Sequence, residues 1–268
     1  MIVVLLPAFN EVESLQHLVP KLVDTMSAMD GGYRIVVCDD GSTDGTDDVL
    51  RDLSTRYPLE VITHRYNRGL GESVRDLFEK AKGLTGPGDF IVRLDCDDTH
   101  EPSCIPRMVE KTRQGYDVVI ASRFVKGGGQ VGVGRYRAFV SRGATYFMRT
   151  VFHIPGLREY TSGFRVYRAE IIHLAIDTYG NNFVQLKGLG FTCTLEKLVK
   201  LQMIGARFGE EPFVLRYDQK RSESKMVSSV TTVGYLTMAL LYHWPWGGWK
   251  SANKRRDATR SKPNDPVA

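Results

Sequence analysis

Short apolar runs alternate with helical patterns along the first half of the chain. Runs rich in apolar and β-branched residues predict strands at 2–6, 34–38, 60–63, 90–94 and 117–121. Between them, apolar residues recur at intervals of three and four, which predicts helices over 15–26, 49–53 and 74–81, the last closed by Gly83. Pro20 interrupts the first helical pattern and predicts a kink there. This alternation predicts an α/β fold with a mainly parallel sheet.

Polar residues follow three of the predicted strands. They are PAFNE at 7–11, DDGS at 39–42 and DCDD at 95–98. Ligands of open α/β sheets bind where the carboxyl ends of parallel strands meet, so these three segments should face one edge. Helix caps and Asp-rich turns explain each segment alone. They explain the three together less well, and the pattern favours a ligand site.

The segment DCDD places three carboxylates, Asp95, Asp97 and Asp98, after a strand that reads as buried. One interpretation is an ordinary acidic turn, in which the side chains bond their own backbone. The other is a site for a hard divalent cation such as Mg²⁺ or Mn²⁺, which prefers oxygen ligands. The adjoining polar segments favour the metal site.

Length and cysteine usage set the class of protein. A chain of 268 residues with 42% hydrophobic content predicts one main domain. Its four cysteines have no paired metal-ligand spacing: Cys38, Cys96, Cys104 and Cys193. The apolar start is followed at once by Asn10 and Glu11, which does not resemble a secretory signal. We therefore expect a reducing, cytoplasmic location.

The net charge of +5 is unevenly distributed. Residues 250–268 carry six basic and two acidic residues, lack apolar periodicity and are predicted to be a disordered tail or a solubilising end. Residues 118–158 contain no Asp or Glu but seven basic residues, namely Arg123, Lys126, Arg135, Arg137, Arg142, Arg149 and Arg158. The chain lacks a nucleic-acid recognition motif, so we expect no nucleic acid as a partner. The expected partner is a phosphate-bearing small ligand or lipid.

The ordered set PAFNE, CDDGSTDGT and DCDD resembles glycosyltransferase family two, whose GT-A fold is a Rossmann-like αβα sandwich around a mainly parallel mixed sheet. Four later segments resemble its polyprenyl-phosphate (dolichyl-phosphate) mannosyltransferase branch: SRF at 122–124, VSRGA at 140–144, TSGFRVYR at 161–168 and ESKM at 223–226. The resemblance covers residues 1 to about 226. DDGS alone is moderately specific, whereas the ordered set is strongly so.

This resemblance implies an inverting, metal-dependent glycosyltransferase. The expected reaction moves a hexose, with mannose from GDP-mannose as the first choice, from a nucleotide sugar to a polyprenyl or dolichyl monophosphate. Mg²⁺ or Mn²⁺ is the expected cofactor, because a hard cation neutralises a departing diphosphate. The alternatives are another donor (UDP-glucose or a UDP-N-acetylhexosamine), a sugar hydroxyl as acceptor, or a membrane-peripheral nucleotide-binding adaptor without catalysis.

The resemblance also assigns residues to the site. Asp97 is the implied metal ligand, with Asp95 and Thr99 beside it, and Asp98 is left as a turn residue. Asp40 is the implied base contact, and the remaining residues for the nucleotide sugar are Pro7, Phe9, Glu11, Cys38, Asp95, Cys96 and Lys225. The catalytic acceptor contacts that accompany Asp97 are Arg123, Arg137 and Ser141, since guanidinium groups suit phosphate oxygens. Asp39 and Asp44 are assigned to the turn and to a helix N-terminus.

The chain departs from the branch at two places. Thr192 and Thr194 stand where the branch often carries Gln and Glu, and Glu196 is expected to point elsewhere. An ionised phosphate acceptor needs no general base, so this departure is tolerable. Gln219 stands where the branch has an arginine, and the candidates to replace it are Arg216, Lys220 and Arg221.

The segment TSGFR has two interpretations. Thr161, Ser162, Gly163 and Arg165 shape the acceptor side of the site, or Arg165 pairs with a buried carboxylate. The glycine run at 126–134 contains a formal G-x-G-x-x-G, but the acidic ribose ligand of a dinucleotide site does not follow. A mobile loop over the site or a plain connection is expected there.

Residues 226–249 contain no charged side chain but many Ser and Thr, which makes a spanning helix unfavourable. Trp244, Trp246 and Trp249 precede basic residues and indicate an interfacial anchor at the inner face of the membrane, with a helix packed on the sheet as the alternative. The expected division is a GT-A domain at 1–225, an amphipathic segment at 226–249 and a tail at 250–268. A membrane-protein partner is a further expectation.

Overall fold

The computed structural model describes residues 1–221, 228–244 and 248–250, without the side chains of 135–140. A seven-stranded sheet forms its centre, in the order β3-β2-β1-β4-β7-β5-β8. These strands are β1 (Ile2–Ala8), β2 (Tyr33–Asp39), β3 (Leu59–Thr63), β4 (Phe90–Arg93), β5 (Val118–Ser122), β7 (Arg165–Arg168) and β8 (Phe208–Pro212). All neighbours are parallel except β7, which is antiparallel to both β4 and β5. The sheet is therefore mixed and mainly parallel, as predicted.

Eight α-helices are present in the described part of the chain. They are α1 (Val12–Ser27), α2 (Thr46–Arg56), α3 (Leu70–Leu84), α4 (Ile105–Arg113), α5 (Arg135–Phe152), α6 (Ala169–Tyr179), α7 (Thr192–Met203) and α8 (Ser228–His243). The first three coincide with the predicted helical patterns. Pro20 lies inside α1, which continues to Ser27 without the break that a helix-internal proline often causes.

The helices cover both faces of the sheet. One apolar cluster joins α1, α2 and α4 to the side chains of Val4, Leu6 and Val37. A second cluster on the opposite face joins α3, α5, α6, α7 and α8 to Leu5 and Ile91. The central strands β1 and β5 are apolar on both sides because successive side chains meet opposite helix layers. This three-layer arrangement is the predicted αβα sandwich.

The glycine run contributes a short strand. Residues Gly129–Val131 form β6, which pairs in parallel with β9 (Val214–Arg216) in a separate two-stranded sheet. The run is therefore neither a loop throughout nor a plain connection. Pairing with β9 brings it beside the 3-10 turn Tyr217–Gln219, near the predicted site.

Helix α8 has two apolar faces. Thr231, Gly234, Met238 and Tyr242 are buried against the body of the protein. On the opposite side, Val233, Leu236, Leu240 and Trp244 are about half exposed, at 55%, 56%, 58% and 47%. Their spacing of three and four residues places them on one side of the helix. The helix therefore packs on the protein with one face and carries an exposed apolar stripe on the other, and the expected contact with a membrane stays a prediction.

The structure describes only part of the C-terminal segment in which a membrane anchor and a tail are predicted. Trp249 is half-buried, and the Lys200 ammonium lies 4.4 Å from its ring centroid, so this tryptophan contacts the protein. Trp246 lies outside the described residues, as does the tail after Lys250. No helix within the described ranges combines the length and the apolar character needed to cross a bilayer.

Candidate active site

The ends of β1, β2 and β4 meet at one edge of the sheet. β1 lies between the other two, with Ala8 opposite Asp39 and Leu5 opposite Arg93. Hydrogen bonds join the loops after β1 and β2: the Asn10 amide donates to Ser42 Oγ at 2.9 Å, and the Thr43 amide donates to Asn10 Oδ1 at 2.9 Å. PAFNE and DDGS therefore form one continuous wall.

Asp39 and Asp44 shape this wall, as predicted. Asp39 Oδ1 accepts hydrogen bonds from the amide and the hydroxyl of Ser42, at 3.1 and 2.6 Å. Asp44 accepts from Thr46 at the start of α2 and from the Val12 amide. Burial alone would raise the pKa of Asp44, but these hydrogen bonds outweigh it and lower the pKa. Both carboxylates are engaged in holding the two loops.

The Asp40 carboxylate organises the segment 64–69. It is buried, and it accepts hydrogen bonds from the amides of Arg68 (2.9 Å) and Gly69 (2.8 Å). His64 Nδ1 lies 2.6 Å from Asp40 Oδ1. Gly41 permits this arrangement: its φ is +72°, and a Cβ there would lie 2.5 Å from the backbone carbon of Tyr66. The Asp40 side chain thus serves the protein's own loop.

The cysteines of the predicted wall lie behind its surface. Cys38, opposite Pro7 in the sheet, is fully buried, and burial raises the pKa of its thiol to about 12. Cys96 is 2% exposed, and burial raises its thiol pKa as well. Both side chains lie in the interior, and their predicted contact with a nucleotide sugar stays a prediction. Pro7 and Phe9 are half-buried at the edge itself.

Asp97 lies at the same edge between a hydroxyl and an ammonium group. The Thr99 hydroxyl donates to Asp97 Oδ1 at 2.6 Å, and the Lys220 ammonium contacts Oδ2. Burial would raise the pKa of Asp97, but the charges of His100 and Lys220 and these hydrogen bonds lower it. Of the three candidates to replace the missing arginine, Lys220 is the one in contact with DCDD, whereas Arg216 pairs with Asp218.

The buried Arg93 guanidinium contacts Asp95 from the interior of the protein. No sequence motif predicted this contact. Arg93 Nη2 lies 2.6 Å from Asp95 Oδ1. The Asp95 amide donates to Nδ1 of the buried His100 at 3.1 Å, and burial lowers the pKa of that imidazole. Asp98 points away, pairs with Lys21 at 2.9 Å and has a φ of +57°, which agrees with its predicted turn role.

Arg123, which the resemblance predicts as an acceptor contact, is bound to a buried carboxylate. Its Nε and Nη2 donate to Glu159 at 2.8 and 2.9 Å, and Nη2 also donates to the Thr161 hydroxyl at 2.6 Å. Glu159 is fully buried, which would raise its pKa, but Arg123 and Thr161 lower it. The partner of Arg123 is thus the first carboxylate after the acid-free span.

The other predicted acceptor residues are only partly described. Ser141 is half-buried on α5, one helical turn after position 137. The Arg137 side chain and the whole of Lys225 lie outside the described residues. Their roles stay predictions.

Helix α7 begins with the two threonines that replace the family's Gln and Glu. Thr192 and Thr194 are buried. Glu196 accepts hydrogen bonds from the amides of Gln185 (2.9 Å) and Leu186 (3.0 Å) and pairs with Lys200 at 2.5 Å. These contacts engage both oxygens of Glu196, as expected from its position along the helix.

Arg165 does not pair with a carboxylate in the described structure. It is fully buried and donates to the backbone carbonyls of Thr194 (2.7 Å) and Tyr160 (3.1 Å). It therefore ties the start of α7 to the TSGFR segment and to Tyr160 just before it.

The donor set suits a hard cation that shares its ligands with a substrate. No three His, Cys, Asp or Glu side chains within the described ranges gather as a complete metal cage. Mg²⁺ is commonly held by one or two carboxylates together with substrate phosphates, so Asp97 with its Thr99 hydroxyl is a fitting protein share. The Lys220 contact shows that this carboxylate accommodates positive charge.

Solved structures share this architecture. A glucosyl-3-phosphoglycerate synthase from Mycobacterium tuberculosis, in complex with Mn²⁺, uridine diphosphate and glucosyl-3-phosphoglycerate, superposes with a TM-score of 0.55 at 19% identity, over 90% of this chain and 78% of that one. At this identity the likeness establishes the fold alone. The fold is that of the GT-A glycosyltransferases.

The family follows from the sequence comparisons. The glycosyl transferase family 2 model matches residues 3–174. The dolichol-phosphate mannosyltransferase of Pyrococcus furiosus is 32% identical over 224 residues, 83% of this chain and 58% of that protein. The undecaprenyl-phosphate mannosyltransferase of Micrococcus luteus is 30% identical over 230 residues, 85% of this chain and 88% of that protein. This chain belongs to glycosyl transferase family 2 and is a glycosyltransferase.

Proposed function

We propose that this protein transfers a hexose, with mannose from GDP-mannose as the first choice, from a nucleotide sugar to a polyprenyl monophosphate with inversion of configuration. The observation that carries the proposal is Asp97, a partly exposed carboxylate beside Lys220 at the edge where DDGS and DCDD meet. Both named relatives are polyprenyl-type phosphate mannosyltransferases, which supports the choice of acceptor and sugar.

Asp97 and Thr99 are the proposed metal ligands, with Asp95 beside them. A divalent cation bound there supplies charge neutralisation for the departing diphosphate. Mg²⁺ and Mn²⁺ both suit an oxygen donor set. The Mn²⁺ in the Mycobacterium synthase belongs to a protein of the same fold and supports this assignment.

The wall formed by PAFNE and DDGS is the proposed nucleotide site. Pro7, Phe9 and Glu11 border it, and Asp40 fixes the adjoining segment 64–69. Each oxygen of Asp40 already accepts bonds from the protein, so a contact with the base would add to these bonds. Lys220 is the proposed replacement for the missing arginine, since its ammonium is near enough to Asp97 to serve a diphosphate bound there.

The acceptor phosphate is proposed to bind Arg123, Arg137 and Ser141. Glu159 holds Arg123 through Nε and Nη2, which leaves Nη1 outside this ion pair. A polyprenyl phosphate is ionised near neutral pH and needs no proton removed before it attacks. Threonines at 192 and 194, and a Glu196 whose oxygens are both engaged, fit such an acceptor better than a sugar hydroxyl, which would require a general base.

The exposed stripe of α8 supports peripheral contact with the membrane. Val233, Leu236, Leu240 and Trp244 present an apolar surface opposite the face that packs on α7. An apolar helix face with a tryptophan at its end suits the boundary between headgroups and acyl chains. We propose that this stripe brings the site to the inner leaflet, where a lipid phosphate is accessible.

The test is a transfer assay with polyprenyl phosphate and a panel of labelled sugar nucleotides, with Mg²⁺, with Mn²⁺ and with a chelator. We expect a glycolipid from GDP-mannose, loss of product with the chelator, and a β-linked product from an α-linked donor. Asp97→Ala should lose transfer at unchanged melting temperature. Asp98→Asn is the matched control, because that carboxylate pairs with Lys21 and tolerates Asn at positive φ. If product forms only from UDP-glucose, the proposed donor GDP-mannose is wrong. If Asp97→Ala still transfers sugar, the assignment of Asp97 as a metal ligand is wrong.

A further inference from the structure

The Arg93 side chain lies buried under the acidic edge of the sheet. It is 2% exposed and comes from the last residue of β4, two positions before Asp95. Its Nη2 approaches Asp95 Oδ1 to 2.6 Å, although the alignment is that of an ion pair more than of a good hydrogen bond. The Asp95 side chain is 28% exposed, so the pair joins a buried cation to a carboxylate that reaches the surface.

A glycine provides the space for this guanidinium. A Cβ at Gly163 would lie 1.5 Å from Arg93 Nη1, 2.7 Å from Cζ and 3.2 Å from Asp95 Oδ2. The first distance is far below any van der Waals contact. A glycine is therefore required at 163 as long as Arg93 keeps this position, which explains one residue of the TSGFR motif.

The surroundings leave Arg93 dependent on Asp95. Arg165 stands opposite Arg93 in the antiparallel pair of β4 and β7, and it bonds to backbone carbonyls. The buried Lys197 ammonium adds a further basic group on this face of the sheet. Asp95 is the acidic side chain in ion-pair contact with Arg93 in the described structure. A buried cation in such surroundings is costly unless a carboxylate compensates it.

We propose that Arg93, lodged against Gly163, is a positioning residue that neutralises and orients Asp95 and thereby divides the work of the two carboxylates. Asp95 becomes an oriented acceptor for the nucleotide sugar, and Asp97 keeps the divalent cation. This division rests on the proposed function, since it assumes a nucleotide and a metal at this edge. It also gives a structural reason for the prediction that Asp97 is the main metal ligand and that Asp95 serves the nucleotide sugar.

The division has opposite consequences for the metal and for the nucleotide. Without Arg93, the negative charge of Asp95 beside Asp97 is no longer compensated by a neighbouring cation. A divalent cation should then bind more tightly, because a second uncompensated carboxylate is near. A nucleoside diphosphate added without metal should bind more weakly, because that charge repels its phosphates and the carboxylate is no longer oriented.

The experiment compares Arg93→Met, Gly163→Ala and the wild-type protein. Gly163→Ala displaces the guanidinium without removing a charge, and Gly83→Ala is its control, because a Cβ at Gly83 meets nothing within 4 Å. Mn²⁺ affinity is measured by electron paramagnetic resonance, and GDP and UDP affinities without metal by calorimetry. For Arg93→Met we expect Mn²⁺ affinity to rise and nucleotide affinity to fall by about tenfold each. Gly163→Ala should change both in the same directions.

Three outcomes decide the matter. Unchanged Mn²⁺ and nucleotide affinities in folded Arg93→Met overturn the positioning role. A Gly163→Ala protein that behaves like Gly83→Ala overturns it too, and this variant decides if Arg93→Met does not fold. Failure of the wild-type protein to bind either Mn²⁺ or a nucleotide would instead count against the proposed function.

Discussion

Arg123 and Glu159 form a bidentate ion pair in which the carboxylate is fully buried and the guanidinium side chain is 12% exposed. Glu159 also accepts from the amides of Thr161 and Ser162, so the pair is fixed to the TSGFR segment. The orientation of Arg123 is therefore set by the protein before any phosphate binds. Such preorganisation lowers the entropy cost of binding an anion.

Removal of Arg123 should impair use of the lipid acceptor. The single variant Arg123→Ala would strand a buried carboxylate at a cost of about 3–5 kcal/mol, so the informative protein is Arg123→Ala with Glu159→Gln. We expect its KM for polyprenyl phosphate to rise at least about tenfold, with the KM for the sugar nucleotide nearly unchanged. Arg149→Ala, at an exposed position of α5, is the control. Equal impairment for both substrates would contradict the assignment.

Replacement of Asp40 by Asn should loosen segment 64–69. Asn keeps the shape of Asp but turns one acceptor into a donor, which would face the amide of Arg68 or Gly69. We expect faster amide hydrogen exchange in this segment, a stability loss of about 1–3 kcal/mol and weaker nucleotide binding. Exchange mass spectrometry and calorimetry measure these effects, with the exposed Asp48→Asn as control. Unchanged exchange at 64–69 would refute the organising role.

Lys197 should make stability depend on pH. Burial, with repulsion from Arg93 and Arg165, lowers its pKa to about 7, against 10.5 for an ordinary lysine. Between these values the unfolded chain holds a proton that the folded protein lacks, so this group's contribution to stability rises with pH from about 7 to about 10.5. Below pH 7 the amine is protonated in both states, and the loss of stability from burying its charge is at its full size, on the order of a few kcal/mol.

The variant that tests this is Lys197→Met, which removes the buried amine. We expect it to be more stable than wild type at pH 6 and to lose most of that advantage by pH 10. Urea unfolding at several pH values measures the difference. Lys80→Met is the control, because Lys80 is 40% exposed and pairs with Glu60. A constant difference between pH 6 and pH 10 would show that Lys197 keeps an ordinary pKa.

The exposed stripe of α8 should control binding to lipid. Leu236→Asp with Leu240→Asp places two charges on the stripe and leaves the buried face of the helix intact. We expect binding to anionic phospholipid vesicles in a sedimentation assay to fall at least about tenfold, at unchanged melting temperature. Leu174→Asp on α6 is the matched control, since this leucine is 39% exposed. Similar losses in both proteins would indicate nonspecific adsorption.

Local patterns predicted the first half of the fold well. The strands at 2–6, 34–38, 60–63, 90–94 and 117–121 agree with the observed β1 to β5 within two residues. The apolar runs of β1, β2, β4 and β5 are mostly buried on both faces, so each run by itself carries a strong signal, whereas the edge strand β3 is half exposed. Turn residues such as Asp39 were equally predictable, because their partners lie only a few residues away.

The partners across the site were not predictable in the same way. In the sequence Arg93 resembles an ordinary polar residue, because Gly163 is brought to it only by the pairing of β4 with β7. Glu159 has no local pattern that connects it to Arg123. The burial of Cys38 was not predictable, because the motif resemblance indicates which segment borders the site but not which of its side chains point inward.

The antiparallel strand β7 has a consequence for how the protein folds. β1, β2 and β3 are joined by short crossovers. β4 pairs with β1 on one side, but its second neighbour, β7, lies roughly seventy residues later in the chain. We therefore expect the wall formed by PAFNE and DDGS to fold early. The contact of Arg93 with Gly163, which lies beneath Asp95, should form late. Pulse-labelled hydrogen exchange during refolding should protect β1 and β2 before β7, and simultaneous protection would contradict this order. A chain that emerges from the ribosome would then form the wall of PAFNE and DDGS well before it could hold the Asp95 carboxylate in place.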